Sequence, residues 1–269
     1  MIPSATSSPL DDVEYLARSE HRVTALDALS RRPQSRADLR TLTGVSQSTI
    51  GRTLRAFEDR RWITREGAHY EATALGTFVA TGMRELIDRL ETEHRLREVW
   101  EWLPSEATGF TIEMISDAVV TVAAADDPYR PVNRFLTLLR EADRFRFVGF
   151  DVALLEPCKD ELCGRIVEGM HTEIIAPPAV AKYIRSTAPE QFAAALESGN
   201  LVVRLHDDLP HYGVSLFDTR IAISGYDPAS GSVRVLVDTD GPAAREWAES
   251  AYDAYRRELP TIALETPLA

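Results

Sequence analysis

The sequence predicts an α+β protein that is divided into two domains. The chain has 269 residues, which is long for one domain of the usual size of about 100 to 200 residues. Apolar residues in the first part recur at helical spacing, whereas short extended and helical segments alternate after Pro104. Because 44% of the residues are apolar and 8% are aromatic, both parts can bury a hydrophobic core.

The N-terminal helices are predicted to follow a tail that is rich in serine and proline. Residues 1–10 are expected to be flexible, and a first helix is expected to begin near Asp11 or Asp12, either of which is a suitable N-cap. The apolar spacing from Val13 to Ser30 indicates one helix or two. Ser35 is predicted to cap the next helix, which ends at Gly44 because glycine readily adopts the left-handed conformation.

A third helix is predicted to start at Ser46 and to be followed by a hairpin. Its apolar face is expected to comprise Ile50, Leu54 and Phe57. Trp62–Arg65 and His69–Ala72 are short extended runs on either side of a Glu-Gly turn. Helices and a hairpin in this order are typical of a winged helix-turn-helix, so residues 11–73 are predicted to form such a domain.

A long linker helix is predicted over residues 74–104. Its apolar stripe comprises Leu75, Val79, Met83, Leu86 and Leu90. The pattern leaves two interpretations open, because such a stripe can form a dimer or pack between the two domains.

Residues 105–269 are predicted to form an α/β domain, because short strands alternate with helices. The predicted strands are Phe110–Ile115, Ala118–Ala123, Phe145–Phe150, Thr172–Ala176, Leu201–His206, Tyr212–Phe217, Arg220–Tyr226 and Val233–Val237. The predicted helices are Pro131–Ala142, Glu156–Glu168, Pro178–Thr187, Pro189–Ser198 and Pro242–Leu259.

The overall charge argues against broad binding to polyanions. Acidic residues number 42 and basic residues 30, a formal net charge of -12, and attraction to nucleic acid or anionic lipid needs a positive surface. Only Lys159 and Lys182 are lysines. An acidic surface that is poor in lysine predicts a halophilic cytoplasmic protein, although a GC-rich genome also favours arginine over lysine.

Basic residues are nevertheless concentrated in one segment. Between Arg18 and Glu66 there are eleven arginines and six acidic residues, which gives a local net charge of +5. The rest of the chain carries a net charge of -17. Because this positive segment contains the helix order of a DNA-binding domain, the sequence predicts double-stranded DNA as a partner.

Residues 36–73, RADLRTLTGVSQSTIGRTLRAFEDRRWITREGAHYEAT, resemble the winged helix-turn-helix of archaeal and bacterial transcription regulators. The predicted DNA-contacting residues are Ser46, Gln47, Ser48, Thr49, Arg52 and Arg55 in the recognition helix and Arg65 and His69 in the wing. Arg40 departs from the pattern, in which a small residue is common, so the angle of the second helix is left open. Regulators of this kind read two half-sites, which favours a homodimer. The alternative is a protein-interaction adaptor without DNA affinity.

Residues 201–259 resemble the phospholipase-D-like effector domain of archaeal TrmB-like regulators and of the related methanogenesis and filament-formation regulators. The resemblance rests on Phe217-Asp218 at a strand turn, on Gly-Tyr-Asp before a hairpin and on Arg-Glu-Trp-Ala in the last helix. It implies a domain that senses a small-molecule effector, a sugar or sugar phosphate, without a cofactor.

Catalysis of the phospholipase-D type requires a histidine with a lysine two residues further on. The histidines of this region and the residues at that position are His171 and Glu173, His206 and Asp208, and His211 and Gly213. Because the lysine is missing each time, the chain is predicted not to be an enzyme, and a phosphodiesterase is the less favoured alternative.

Two further clusters have weaker functional interpretations. Cys158 and Cys163 are five residues apart on a predicted helix, which places them on different faces and favours buried thiols over a redox pair. His206 and His211 bracket an acidic loop without a recognised metal spacing, so no metal site is predicted. No run approaches about 18 consecutive apolar residues, so no membrane association is expected.

Overall fold

The computed structural model describes residues 8–149, 152–227 and 230–257. The chain divides into two compact units, residues 1–91 and residues 92–269. This division falls before the predicted boundary at Pro104, because Leu96, Val99 and Leu103 are buried in the core of the second unit.

The first unit combines helices with a small antiparallel sheet. Its helices are α1 (Pro9–Ala17), α2 (Glu20–Arg31), α3 (Arg36–Thr43), α4 (Gln47–Asp59) and α5 (Ala74–Leu96), the last of which extends into the second unit. Its strands are β1 (Gln34–Ser35), β2 (Ile63–Glu66) and β3 (His69–Ala72), in the order β1-β3-β2. The elements follow the predicted order, with two helices in the region where one or two were expected and with β1 as an additional strand.

Two predicted helix ends are wrong. The Ser8 N–H donates to the Asp11 carboxylate at 3.0 Å in a capping box, so α1 begins at Pro9 rather than near Asp11. The remainder of the predicted flexible tail, residues 1–7, lies outside the described residues. At the other end, α5 stops at Leu96 and a 3-10 turn follows at Trp100–Trp102, because the intervening apolar residues turn into the core of the second unit.

The core of the first unit is built on one face of α4. Ile50, Leu54 and Phe57 have no exposed surface, as predicted. Trp62 adds an aromatic contact, with its ring centroid 5.8 Å from that of Phe57, and Tyr70 of β3 is buried in the same cluster. The opposite face of α4 is therefore left to solvent.

The start of α5 is held against the segment that follows α4. Thr73 Oγ1 accepts from the Gly76 N–H at 3.1 Å and donates to the Arg61 carbonyl at 2.8 Å. The Thr73 N–H donates to the Trp62 carbonyl at 2.8 Å. Gly76 lies so close to this carbonyl that a Cβ atom would overlap the Trp62 oxygen. Glycine is required here because of close approach.

Gly76→Ala is expected to lower the free energy of unfolding by about 1 to 3 kcal/mol, because the backbone has to move to accept the methyl group. Gly82→Ala is the matched control in the same helix, since a Cβ there meets nothing within 4 Å. This control is expected to raise stability by about 0.5 to 1 kcal/mol. Urea denaturation followed by tryptophan fluorescence measures both changes, and equal effects of the two substitutions would contradict the tight contact.

The second unit is built around a seven-stranded mixed sheet. Its strands are β4 (Val119–Val122), β5 (Arg144–Val148), β6 (His171–Ala176), β7 (Leu201–Leu205), β8 (Tyr212–Leu216), β9 (Ile221–Tyr226) and β10 (Val233–Thr239). Its helices are α6 (Arg130–Arg140), α7 (Val152–Leu155), α8 (Lys159–Val167), α9 (Pro178–Thr187), α10 (Pro189–Glu197) and α11 (Pro242–Arg257). The strand order is β4-β10-β9-β8-β5-β6-β7, in which β5, β6 and β7 are parallel and the other pairs are antiparallel.

Side-chain alternation gives this sheet two buried faces. Phe147 of β5 and Ile174 of β6 belong to a cluster that includes residues of α6, α8 and α10. The next residues along each strand, Val148 and Ile175, belong to a second cluster that includes residues of α11. Because successive residues of a strand point to opposite sides, helices cover the sheet on both.

One predicted strand of this unit is wrong. The sequence predicts extended structure at Phe110–Ile115, but Ile112–Ile115 form a 3-10 turn. Phe110 packs on Trp247 of α11 with ring centroids 5.1 Å apart, so Phe110 and Ile115 are buried without a strand. The helix predicted from Glu156 begins at Lys159 instead, after a 3-10 turn at Glu156–Cys158, and α7 before it was not predicted. The other predicted elements agree within one or two residues at their described ends. Phe150 and Leu259, which end a predicted strand and helix, lie outside the described residues.

A buried carboxylate ties three parts of the second unit together. Asp238 of β10 has no exposed surface. Arg134 of α6 donates to its two oxygens at 2.9 and 2.8 Å, and Arg220, which precedes β9, donates at 3.0 Å. Because an unpaired buried charge costs several kcal/mol, these bonds fix the position of α6 on the sheet.

Candidate nucleic-acid interface

The first turn of α4 carries polar residues that the sequence predicts to face DNA. Ser46 is the N-cap: its Oγ accepts from the Thr49 N–H at 3.2 Å and lies 2.9 Å from Ser48 Oγ and 3.0 Å from Thr49 Oγ1. Its hydroxyl is therefore engaged within the turn. Gln47 and Ser48 are exposed, and Thr49 is half-buried.

Ser48, Arg52 and Arg55 lie on one exposed face of α4. Their separations of four and three residues place them on the same side of the helix, opposite the buried residues of the core. Gln47 and Thr49 flank this face at its N-terminal end. Short polar groups at the start of a helix and cations one or two turns later suit insertion into a major groove about 12 Å wide.

Ion pairs divide the arginines of the first unit into two groups. The arginines that pair with a carboxylate of this unit are Arg18, Arg31, Arg60 and Arg84. Within the described ranges, no carboxylate lies at ion-pair distance from Arg52 or Arg55. The positive charge of the exposed α4 face is thus available to an external anion.

Arg40 does not disturb the helix before α4. It is exposed on α3, whereas Leu39 beside it has no exposed surface. The helix ends at Gly44, whose φ of 69° is the predicted left-handed stop. The bulk of Arg40 therefore points away from the core.

The β2–β3 hairpin separates the two residues that are predicted to form the wing contact. Arg65 lies opposite Tyr70 and Glu66 lies opposite His69, so Arg65 and His69 point to opposite faces of the hairpin. Arg65 Nε donates to the Gly67 carbonyl at 2.9 Å, and its guanidinium lies 5.6 Å from the Tyr70 ring centroid. The structure does not bring these two predicted side chains together.

His21 of α2 supports α4 from its buried side. Its Nε2 lies 3.2 Å from Oγ1 of Thr53, which is buried in the core face of α4. Burial lowers the pKa of His21 below its ordinary value of 6.5, and the positive charge of Arg22 lowers it further. Protonation of His21 therefore opposes the folded state.

Acidification is expected to weaken the first unit through His21. Because its pKa is lower in the folded state, the stabilising contribution is complete above the unfolded value of 6.5 and is lost as the pH falls towards the folded value. His21→Gln keeps a hydrogen-bonding group for Thr53 but does not titrate, so its free energy of unfolding is expected to fall less between about pH 7.5 and pH 5.

Urea denaturation across this pH range measures the difference between wild type and His21→Gln. His94→Gln is the control, because the His94 side chain is 65% exposed, and it is expected to follow the wild type. Parallel curves for wild type and His21→Gln would contradict the contribution of His21.

Two cavities of the second unit lie at opposite ends of its parallel strands. One, of about 610 Å³, includes His206, Asp208, His211 and Tyr212 in its wall and lies beyond the carboxyl end of β7. The other, of about 450 Å³, is lined by Arg144, Arg146, His171, Glu173 and Arg256 at the amino ends of β5 and β6. Sequence reasoning missed this basic group. Its signal was the alternation Arg-Phe-Arg-Phe-Val, which places two arginines on one face of β5.

The two cysteines have the properties of buried thiols. Cys158 and Cys163 are free and buried. Burial raises the pKa of Cys158 to about 12, which is the opposite of what a reactive thiolate requires. The favoured interpretation from sequence therefore agrees with their surroundings.

The loop after β7 shows hydrogen bonding rather than a ligand set for a metal. His206 Nδ1 accepts from the Asp208 N–H at 3.1 Å. Over the ranges that the structure describes, no group of three or more metal-binding side chains is found. In the same ranges, no helix combines the length and apolar character needed to cross a membrane.

Two protein families match parts of the chain. Residues 128–258 match the middle domain of the methanogenesis regulatory protein FilR1, and residues 10–95 match the HVO_A0261 N-terminal domain. The match over residues 128–258 supports a regulatory protein and the resemblance to methanogenesis regulators that the sequence predicts.

Several solved structures are similar to the chain at low identity. TrmBL2, an archaeal chromatin protein with a novel mode of DNA binding, is 14% identical over 95% of this chain and 100% of its own, with a TM-score of 0.42. A MarR-family protein of Mycobacterium tuberculosis is 21% identical over 35% of this chain and 84% of its own, with a TM-score of 0.29. Phosphatidylserine synthase of Haemophilus influenzae is 17% identical over 54% of this chain and 39% of its own, with a TM-score of 0.41. No curated protein matches the chain.

Proposed function

We propose that the chain regulates transcription by reading operator DNA with α4 of a winged helix-turn-helix. The observation that carries this proposal is the exposed face of α4, where Arg52 and Arg55 have no carboxylate partner among the described residues and follow the polar residues Gln47 and Ser48. An arginine binds phosphate oxygens, or the O6 and N7 atoms of guanine, through two parallel N–H donors. The core on the other side of α4 holds this face in one orientation.

The two arginines can contribute in two distinguishable ways. A phosphate contact positions the helix and strengthens binding to every sequence, whereas a guanine contact discriminates between sequences. The loss of a phosphate contact also reduces the dependence of affinity on salt by about one ion. The salt dependence of each variant therefore separates the two roles.

Arg52→Ala and Arg55→Ala are each expected to weaken operator binding by about ten- to hundredfold, as one contact of about 1 to 3 kcal/mol is lost. Fluorescence anisotropy measures the affinity, on an operator identified by genome-wide occupancy mapping of the native protein. Arg18→Ala is the control, because Arg18 is exposed on the first unit but pairs with Glu14, and it is expected to bind within twofold of wild type. Unchanged affinity of both α4 variants would exclude α4 as the reading helix.

We further propose that the chain functions as a homodimer through α5. Its exposed apolar residues, which share one side of the helix, are Leu75, Phe78, Leu86 and Leu90. Val79 and Met83, which the sequence assigns to the same stripe, pack instead against the core of the first unit. Leu86 and Leu90 lie on the same side seven residues further along, where they are exposed, and Phe78 is 81% exposed. An apolar surface of this kind is typical of a protein–protein contact.

Phe78→Glu is expected to convert the protein from dimer to monomer, because a carboxylate would be buried without a partner in the dimer. Sedimentation velocity at micromolar concentration measures the change. Val167→Glu, which alters an exposed apolar residue of the second unit, is expected to remain dimeric. If the wild-type chain sediments as a monomer both with and without operator DNA, the proposed homodimer is wrong.

The second unit is proposed to bind a small-molecule effector, a sugar or sugar phosphate. Support comes from its cavities of about 610 and 450 Å³, which lie in the usual range of small-ligand sites. Such a ligand changes DNA affinity only if it binds two arrangements of the regulator with different affinities. No cofactor or metal is part of this proposal, and the cytoplasmic, salt-adapted setting stays a prediction from composition.

Two other classes of function are tested by separate experiments. A protein-interaction adaptor would keep the fold of the first unit but would occupy no genomic sites in the mapping experiment. A phosphodiesterase would need a lysine two residues after a histidine, and Gly213 stands at that position after His211. An assay for hydrolysis of generic phosphodiesters is therefore expected to show no turnover.

A further inference from the structure

The amino ends of β5 and β6 place four polar side chains on one face of the sheet. In the parallel register Arg144 lies beside His171, and Arg146 lies beside Glu173. The next pair on this face is apolar and is buried in the cluster that includes residues of α11. The face therefore changes from apolar to charged within one step along the strands.

Helix α11 borders this charged face and shapes a cavity there. Arg146 donates to Glu249 at 3.3 Å, and its guanidinium lies 5.3 Å from the Tyr252 ring centroid. Tyr252 donates to Glu173 Oε2 at 3.2 Å, and Arg256 approaches the same oxygen at 4.0 Å. The side chain of Arg146 is only 20% exposed, so one cation of the cavity wall is largely removed from bulk water.

The start of β5 is held in place by bonds outside the cavity. The carboxylate of Asp218 accepts from the backbone N–H groups of Asp143 and Arg144 at 2.7 and 3.1 Å. Because these bonds use the main chain of Arg144, its guanidinium remains available. The position of Arg144 at the cavity is therefore built into the fold.

The charges of the cavity wall do not balance. Glu249 is shared between Arg146 and Arg245, the latter at 3.2 Å. In the described parts of the chain, neither the Arg144 guanidinium nor the His171 ring has a carboxylate partner. Three arginines and one carboxylate line the cavity, and of these arginines Arg146 pairs with Glu249 and Arg256 lies 3.8 Å from Asp253. The second unit as a whole contains 17 basic and 29 acidic residues. A cation-rich concavity in an acidic unit is suited to an anion.

We propose that this cavity binds a small phosphate monoester, with Arg144, Arg146 and Arg256 as the side chains that hold the phosphate. The planar donor forks of arginine match phosphate oxygens, and Arg144 supplies a cation whose charge no carboxylate of the described residues offsets. A volume of about 450 Å³ takes a phosphate with a small organic group but not a nucleic-acid duplex. That such a ligand serves as effector rests on the regulatory function proposed above, whereas the binding site itself does not.

Isothermal titration calorimetry of the full chain with glucose 6-phosphate, glycerol 3-phosphate, inorganic phosphate and glucose tests this site. Binding of at least one phosphate compound is expected, and none of glucose. Arg144→Gln is expected to weaken phosphate binding by about tenfold or more, because a charge-assisted bond is lost. The variant is expected to fold, since the Arg144 side chain is exposed, and circular dichroism checks this.

Arg185→Gln provides the matched control, because Arg185 is exposed on α9 and does not line the cavity. Its affinity is expected to stay within twofold of wild type. Equal affinities for inorganic phosphate and the monoesters would support the arginine site and show that the organic group adds nothing. Absence of binding for all three phosphate compounds, or equal affinities of wild type and Arg144→Gln, would overturn the proposal.

Operator affinity measured on the same proteins separates this proposal from the regulatory function. Arg144→Gln without ligand is expected to bind DNA as wild type does. If no DNA binding is found while phosphate binding and its loss in Arg144→Gln persist, the regulatory function fails and the phosphate site stands.

Discussion

A carboxylate without exposed surface lies between two guanidinium groups in the second unit. Asp238 meets Arg134 and Arg220 at hydrogen-bonding distance, and only this pairing makes the burial of its charge tolerable. The same constraint acts throughout a chain in which arginine is almost the sole cation. Some guanidinium groups meet a carboxylate within the fold, some donate to backbone carbonyls, such as Arg95 to Ser116, and others remain available outside it. Both candidate sites contain an arginine that has no carboxylate partner among the described residues.

The first unit contains both paired and unpaired arginines. Arg60 is tied to Asp12 at 2.8 Å, whereas Arg52 and Arg55 face solvent on the side of α4 opposite its core. If the cytoplasm is as salty as the composition predicts, the Debye length shrinks to about 3 Å at 1 M salt. Attraction over longer distances is then screened, so α4 has to act through direct contacts. A face that combines arginines with short polar side chains is suited to that condition.

Local rules made part of this structure predictable. Ser46 was identifiable as an N-cap because the capping preference depends on a few neighbouring residues, and the apolar face of α4 follows from helical period alone. Phe110 was assigned to a strand because a short apolar run has the same composition in a strand and in a buried turn. On α5, the sequence could not tell that Met83 packs on the core while Phe78 stays exposed, because tertiary packing decides between neighbouring stripes. Arg144 was not predicted as a site residue, because its neighbours at the cavity come from distant parts of the chain.

The hydroxyl groups at the start of α4 have a consequence for how selectively this helix can read a groove. Ser46 Oγ already accepts from a backbone N–H and touches the hydroxyls of Ser48 and Thr49. One hydroxyl has a single proton and two lone pairs, so Ser46 can donate to only one of these neighbours at a time. Rotation of three protons reverses which neighbour presents a donor outward, while every heavy atom stays where it is. In the proposed complex with DNA, the turn can thus adapt to more than one base edge, whereas the amide of Gln47 has a fixed donor and a fixed acceptor side.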